Sequence, residues 1–389
     1  MTQISRLATL GLAKESTAGT WLAPTAGIPF TKGDYEDMYT ELKDESYRGN
    51  DTILQGMYQG VAHAEWQLDV LAYPDLLGHF LTGIIGPDTV TPATATTLSA
   101  STTAGATSVQ TSVALPASTV IRIDTAANTE YAWTDGTATG VGPYTSNVTT
   151  VLGKTGANRV GLSLAHASSA AVTTTTTHTF KQATTPLPTY SLTLYDTTQT
   201  VSCSYCRVSD LQLKIDPKGA VTASVKYTSF PSVIQSAQTE TFSTFDPLLG
   251  WSWSMTNAGA SSTRGLSYDL TVKRATDAIA SSDGTQTPRE VFAGPIEADG
   301  TYKCIFENQT DLNLYLNYTQ SPATASLQQP VARGGQSLSL TMSKSGWYKG
   351  KRDFGSAYVQ ADFSLSGIYN TTDGGAVQAV LANFQTAAY

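Results

Sequence analysis

A mainly β fold is what this 389-residue sequence predicts: a barrel or sandwich with one flanking α-helix and a small inserted β-domain. Three observations carry that expectation. Only 14% of residues are charged, in a chain rich in Thr, Ser, Ala and Gly. Its 19 tyrosines outnumber its 11 phenylalanines, a mixture that suits half-buried strands and turns. Short segments also alternate polar and apolar residues with period two, at the spacing of a sandwich or barrel.

In chain order, Glu65-Trp-Gln-Leu-Asp-Val70 sets Glu65, Gln67 and Asp69 on one face and Trp66, Leu68 and Val70 on the other. Pro74 and Asp75 then open a helix whose Leu76, Leu77, Phe80, Leu81, Ile84 and Ile85 recur at helical spacing, and Gly86-Pro87 stops it. From 87 to 177 the texture turns rich in Thr, Ser and Ala. This segment reads as an insertion with strands over Thr119–Ile123 and Glu130–Trp133, a turn at Gly142-Pro143, and a linker over Thr173–Thr177. The remaining chain, 1–86 and 178–389, forms the main β-domain. Leu211–Ile215, the turn Asp216-Pro-Lys-Gly219 and Val221–Tyr227 make a hairpin. Further strands are expected at Ser191–Tyr195, Leu266–Val272, Tyr302–Phe306, Leu312–Tyr318, Leu338–Met342 and Val359–Leu365. Ala376–Leu381 fits either period.

A net charge of −8 and a pI near 5.0 oppose a phosphate-gripping surface. No apolar run approaches the roughly 20 residues of a membrane span, and Met1–Arg6 does not lead into a signal peptide. Three cysteines are poor material for a disulfide framework. Cys203-Ser-Tyr-Cys206 has metal or redox spacing but no second pair, and strand alternation would point the two thiols to opposite faces. Gly153-Lys154-Thr155 ends like a P-loop, yet Val148 stands where the first glycine belongs. His63, His79, His166 and His178 lack metalloprotease spacing, and no G-x-S-x-G elbow occurs. No catalytic residue, metal or cofactor is expected.

Several segments, in order, resemble tail tube proteins of actinobacteriophage-type, long-tailed phages. They are Leu10-Gly-Leu-Ala-Lys-Glu-Ser-Thr-Ala-Gly-Thr-Trp-Leu-Ala-Pro24, Tyr47-Arg-Gly-Asn50 with Gln55-Gly56 and Tyr58-Gln-Gly60, Thr228-Ser-Phe-Pro-Ser232, and Gly367-Ile-Tyr-Asn-Thr-Thr-Asp-Gly-Gly375. The resemblance implies a β-barrel subunit assembled as hexameric rings stacked into the tube of a non-contractile tail, through which the genome leaves. It implies a virion component, assembled in the host cytoplasm, whose partners are further copies of itself and the tail terminator, tape measure and tail-tip proteins. DNA is only passing cargo, and the chain inserts into no membrane.

Within that reading, 33–58 is the expected ring-stacking loop, because it mixes charges and aromatics without periodicity. Its named residues are Asp34, Tyr35, Glu36, Asp37, Tyr39, Glu41, Asp44, Glu45, Tyr47 and Arg48. Glu65 and Asp69 are candidates for an acidic lumen wall that repels DNA. The insertion resembles β-rich modules that decorate phage particles, and Tyr131, Trp133 and Tyr144 are its candidate surface contacts, unless they pack its own small core. The alternative function is a carbohydrate-binding, adhesin-like β-protein; a polysaccharide-degrading enzyme is a more distant one.

Overall fold

The computed structural model describes residues 4–183 and 186–389. Eight strands form one continuous antiparallel ladder. They are β1 (Phe30–Asp44), β2 (Gly56–Leu71), β3 (Thr200–Ile215), β4 (Thr222–Ser229), β5 (Gly265–Ile279), β6 (Glu290–Ile305), β7 (Ser337–Asp353) and β8 (Gln360–Gly367). The spatial order is β1-β2-β4-β3-β5-β6-β8-β7. Two of these strands serve two ladders each. The first half of β3 pairs with Tyr190–Tyr195 and Val233–Gln235, and its second half with β4 and β5. The first half of β7 pairs with Ser321–Gln328 and Gln378–Asn383, and its second half with β8. The sheet therefore folds over on itself as a half-barrel, and a continuous core fills the inside.

Alternation decides which side chains enter that core. In β2, Trp66, Leu68 and Val70 are buried, whereas Glu65 and Gln67 face water. Opposite them stand Tyr227, Val225 and Ala223 of β4, all buried. The β3–β4 turn is closed by the Asp216 carboxylate, which accepts from the Lys218 amide at 2.9 Å. Helix α1 (Leu77–Ile84) sinks Leu77, Phe80, Leu81 and Ile84 into the core. Arg274 of β5 donates to the carbonyls of Ile84 (2.6 Å) and Ile85 (3.2 Å), a cation at a helix C-terminus. Gly78 lies so close to the Tyr389 ring that an added Cβ would meet it at 2.3 Å. Tyr389 is thereby locked against His79 and His178.

The structure corrects the reading of Leu312–Tyr318, which is not a strand: α2 spans Thr310–Leu316. Leu312, Leu314 and Leu316 fit period two, yet Leu316 is 56% exposed. The inward set is Asp311, Leu312, Leu314 and half-buried Tyr315, which has helical spacing. Buried Asp311 fixes the helix by binding Arg264 and Asn257, each at 3.1 Å. The ambiguous segment near the C-terminus is a strand, Gln378–Asn383.

A separate six-stranded sheet lies between Ala95 and Thr174. Its core comprises Leu98, Val109, Leu115, Ile121, Ile123, Ala132, Val148, Leu162 and Val172. Asp88–Thr91 and the first two residues of Thr176–Lys181 lie inside the expected insertion limits, yet these two strands pair with each other in the larger sheet. Four threonines of the run are strand, Thr173 and Thr174 in the smaller sheet and Thr176 and Thr177 in the larger, because β-branched residues suit a pleated surface, and Thr175 joins the two.

Thr91 and Thr177 are direct partners, so replacing Pro92–Thr176 with Asn-Gly should close a tight hairpin and leave a folded body. Retention of a cooperative thermal transition checks this; its loss would show that the body needs the six-stranded unit. Burial, reinforced by Lys14, holds the His79 imidazole down to about 4 against an ordinary 6.5. Its contribution to stability is complete above pH 6.5 and declines as pH falls towards 4, because only the unfolded chain takes up the proton. The decline should amount to about 3 kcal/mol. Denaturant titrations of wild type and His79→Gln between pH 4 and 7.5 should show a shallower slope in the variant.

Candidate assembly interface

Most of the expected stacking loop of 33–58 is paired strand, 33–44 against 56–58 and the residues that follow, and only 45–55 forms a loop at its tip. β1 and β2 pair from Phe30 opposite Val70 to Asp44 opposite Gly56, with register shifts between Phe30 and Lys32 and between Tyr39 and Glu41. Beyond Ala64, the last β2 residue to pair with β4, eight further residues to Gly56 carry the arm about 26 Å. Both faces of this outer part are wet, so backbone pairing persists without any period-two signal in the side chains.

At the arm's root, Tyr35 stacks on buried Trp66 with ring centroids 4.7 Å apart. Asp37 accepts from the Ser232 amide (2.9 Å) and hydroxyl (2.6 Å), which ties β1 to the segment after β4. Gln286, in the turn between β5 and β6, supports the arm from the side. Its carbonyl accepts from the Ala62 amide at 2.9 Å, and its side chain donates to the Gln59 carbonyl at 3.1 Å. No sequence pattern marked Gln286, because its partner lies more than two hundred residues away.

The tip, between Asp44 and Gly56, organises itself. Asp44 pairs with Arg48, and hydrogen bonds from Ser46, then that guanidinium, hold its carboxyl below the usual range. Asn50 accepts from the Thr52 amide and exchanges bonds with Gln55. Lys43 pairs with Glu41 at 3.0 Å. Asp34, Glu36 and Glu45 are exposed without an ion pair among the described residues. The arm also presents Tyr39, Leu42, Tyr47, Met57 and Tyr58 to solvent, Tyr47 completely. An exposed apolar set of this kind marks a contact surface.

Glu65 and Asp69 lie on the outer polar face of the ladder. Glu65 is exposed beside His63, 3.7 Å away, and Asp69 is half-buried. That face carries more lysine than the β2 pattern revealed. One row runs Asp34, Gln67, Lys226, Asp210, Lys273, Glu297 across six strands, alternating in sign from Lys226 to Glu297. The acidic excess gathers at the β1–β2 side, where Asp34, Glu36 and Glu65 border a concavity of about 630 Å³.

Tyr131 and Trp133 are corrected as outward contacts of the insertion. Their strand turns Ala132 into the unit's own core, and alternation sends its neighbours to the opposite face. That face meets the main body. Tyr131 packs 5.5 Å from the Phe384 ring, and Arg122 lies 5.1 Å over the same ring. Trp133 lines the seam with Gln328, Gly335 and Ala382. Tyr144 is half-buried where its strand begins.

The two neighbouring cysteines point the same way, contrary to simple alternation. The register with Tyr190–Tyr195 slips between Cys203 and Cys206, and Tyr205 adopts a left-handed φ of 55°, so a bulge turns both thiols inward. Burial pushes the Cys203 thiol up to about 12 and Cys206 well up, which keeps them unreactive. The Gly153-Lys154-Thr155 turn lies exposed on the surface. His178 Nε2 donates to the Gln385 carbonyl at 2.9 Å, its Nδ1 lies 2.7 Å from the Asp88 carboxylate, and His166 contacts Glu130 at 3.1 Å; both histidines are buried. Among the described residues no group of three His, Cys, Asp or Glu has metal-binding geometry, and no helix is long and apolar enough to cross a membrane.

A family model described as phage tail tube protein matches residues 5–385. No curated protein matches the chain. With that match running almost end to end over a mainly β half-barrel, the chain belongs to the phage tail tube protein family and is a structural component of the virion tail, assembled there with other tail proteins.

Proposed function

We propose that this chain polymerises into stacked, hexameric rings that form the tube of a long, non-contractile tail, the conduit for genome ejection into the host. The observation that carries this reading is the β1–β2 arm, a two-stranded hairpin that leaves the body with aromatics and methionine on wet surfaces. An isolated two-stranded hairpin is marginally stable in water. A neighbouring copy would bury the exposed apolar groups and order the arm. The subunits assemble in the host cytoplasm, and the tube's ends meet the terminator, tape measure and tail-tip proteins. The protein's role is that of a building unit, not a catalyst. The glycan-binding alternative loses two of its three aromatic contacts, because Tyr131 and Trp133 face the body.

In the tube the polar face of the ladder lines the lumen. Its acid–base mosaic, with acidic excess beside β1 and β2, leaves passing DNA unheld: lysines that could bind phosphate stand between carboxylates. The six-stranded unit sits on the outside.

Negative-stain electron microscopy of the concentrated chain should reveal hollow stacks with outward knobs. Removing Glu41–Gln59 and joining Thr40 to Gly60 through Asn-Gly should leave a folded subunit, judged by circular dichroism, that makes no tubes; normal tubes from it would sink the stacking role. Glu65→Lys with Asp69→Lys should permit assembly but slow genome ejection from reconstituted phage, and unchanged ejection kinetics would remove the lumen assignment.

A further inference from the structure

The strand register places two unlike hairpins at opposite ends of one ladder. The β1–β2 arm leaves from the end where β5 finishes and β6 begins, since Gln286 braces it there. β8 runs antiparallel to β6, with Gln360 opposite Ile305, and β7 brings Asp353 beside Gln360. The β7–β8 tip therefore projects from the far end.

The two tips are complementary in charge. Beyond the last pairing with β4, residues 38–62 of the arm hold four carboxylates, Glu41, Asp44, Glu45 and Asp51, against the two cations Lys43 and Arg48. Residues 348–358 hold Lys349, Lys351 and Arg352 against Asp353 alone, a basic cluster in a chain of net charge −8. Lys349, Lys351 and Arg352 are exposed, and among the described residues none has a carboxylate within ion-pair distance. Even Asp362, opposite Lys351 in the ladder, lies outside that range. Tyr348, Phe354 and Tyr358 are exposed around these cations, as Tyr39, Tyr47 and Tyr58 are on the arm. Aromatic and charged residues of opposite sign on two surfaces are what a specific interface uses to fix its register.

We propose that the acidic β1–β2 arm of one copy docks on the basic β7–β8 tip of the copy stacked beyond it. The pairing rests on the stacked-polymer reading and names the surface that receives the arm. Two different patches at opposite ends make a heterologous contact, the kind that propagates an open stack instead of closing a dimer. It also gives the polymer a direction, with an acidic arm free at one end and a basic tip free at the other.

The test compares the full-length chain with K349E/K351E/R352E, with E41K/E45K/D51K and with the combination of all six, by ultracentrifugal pelleting and electron microscopy. Circular dichroism establishes that each is folded. Each triple reversal should lower pelletable polymer roughly tenfold or more, since like-charge contacts cost several kcal/mol, and the combination should regain it. Wild-type polymer should also fall as salt approaches about 1 M, where screening acts within about 3 Å. Normal yields from both triple variants, a folded combination that does not recover, or polymer indifferent to salt would overturn the pairing while leaving the stacked polymer intact. A wild-type chain that never stacks overturns both.

Discussion

Strands β3 and β7, of 16 and 17 residues, are each too long to be used up by one pair of neighbours, and the rest of the molecule follows from how their surplus is paired. Each half of such a strand satisfies its backbone groups against different partners, so the ladder must turn a corner while remaining continuous. Unpaired buried amides cost too much for any other arrangement. Once the corners are set, alternation fills the interior with Trp66, Tyr227, Tyr268, Tyr302, Trp347 and Phe363, and the opposite face is left to water. α1 then covers the core, its carbonyl end held by Arg274.

The same backbone logic explains the arm. β1 and β2 continue to pair after the core has ended, so hydrogen bonding holds a shape that no burial supports. Its fixed points are few: Tyr35 on Trp66, Asp37 on Ser232, and Gln286 against the β2 backbone. Everything beyond them depends on the local tip network and on what surrounds the arm. Assembly surfaces are drawn from such low-stability regions because they must change their environment without unfolding the body.

The six-stranded unit shows the opposite relation. It closes its own apolar core, yet spends its second face on the body through Val120, Arg122, Tyr131 and Trp133. Gly335 admits that contact, since a Cβ there would meet Val120 at 2.6 Å. The aromatics that looked available for a ligand are seam residues.

What the sequence determined by itself was whatever repeats over a few neighbours: the faces of β2, the β3–β4 hairpin with its Asp216 turn, the apolar stripe of α1, and the mainly β class. Local rules govern these, because side-chain direction follows the strand or helix period. Only the tertiary structure decided the rest. Leu312–Leu316 alternates like a strand but is wound into a helix around the buried Asp311–Arg264 pair. The arm has no alternation to read, since neither face is buried. The bulge at Tyr205 reverses the expected direction of one cysteine. The polar face gains its lysines from strands that lie far apart in the chain, and only the register brings Lys226 and Lys273 to either side of Asp210. Each depends on contacts between distant segments, and no local period encodes those.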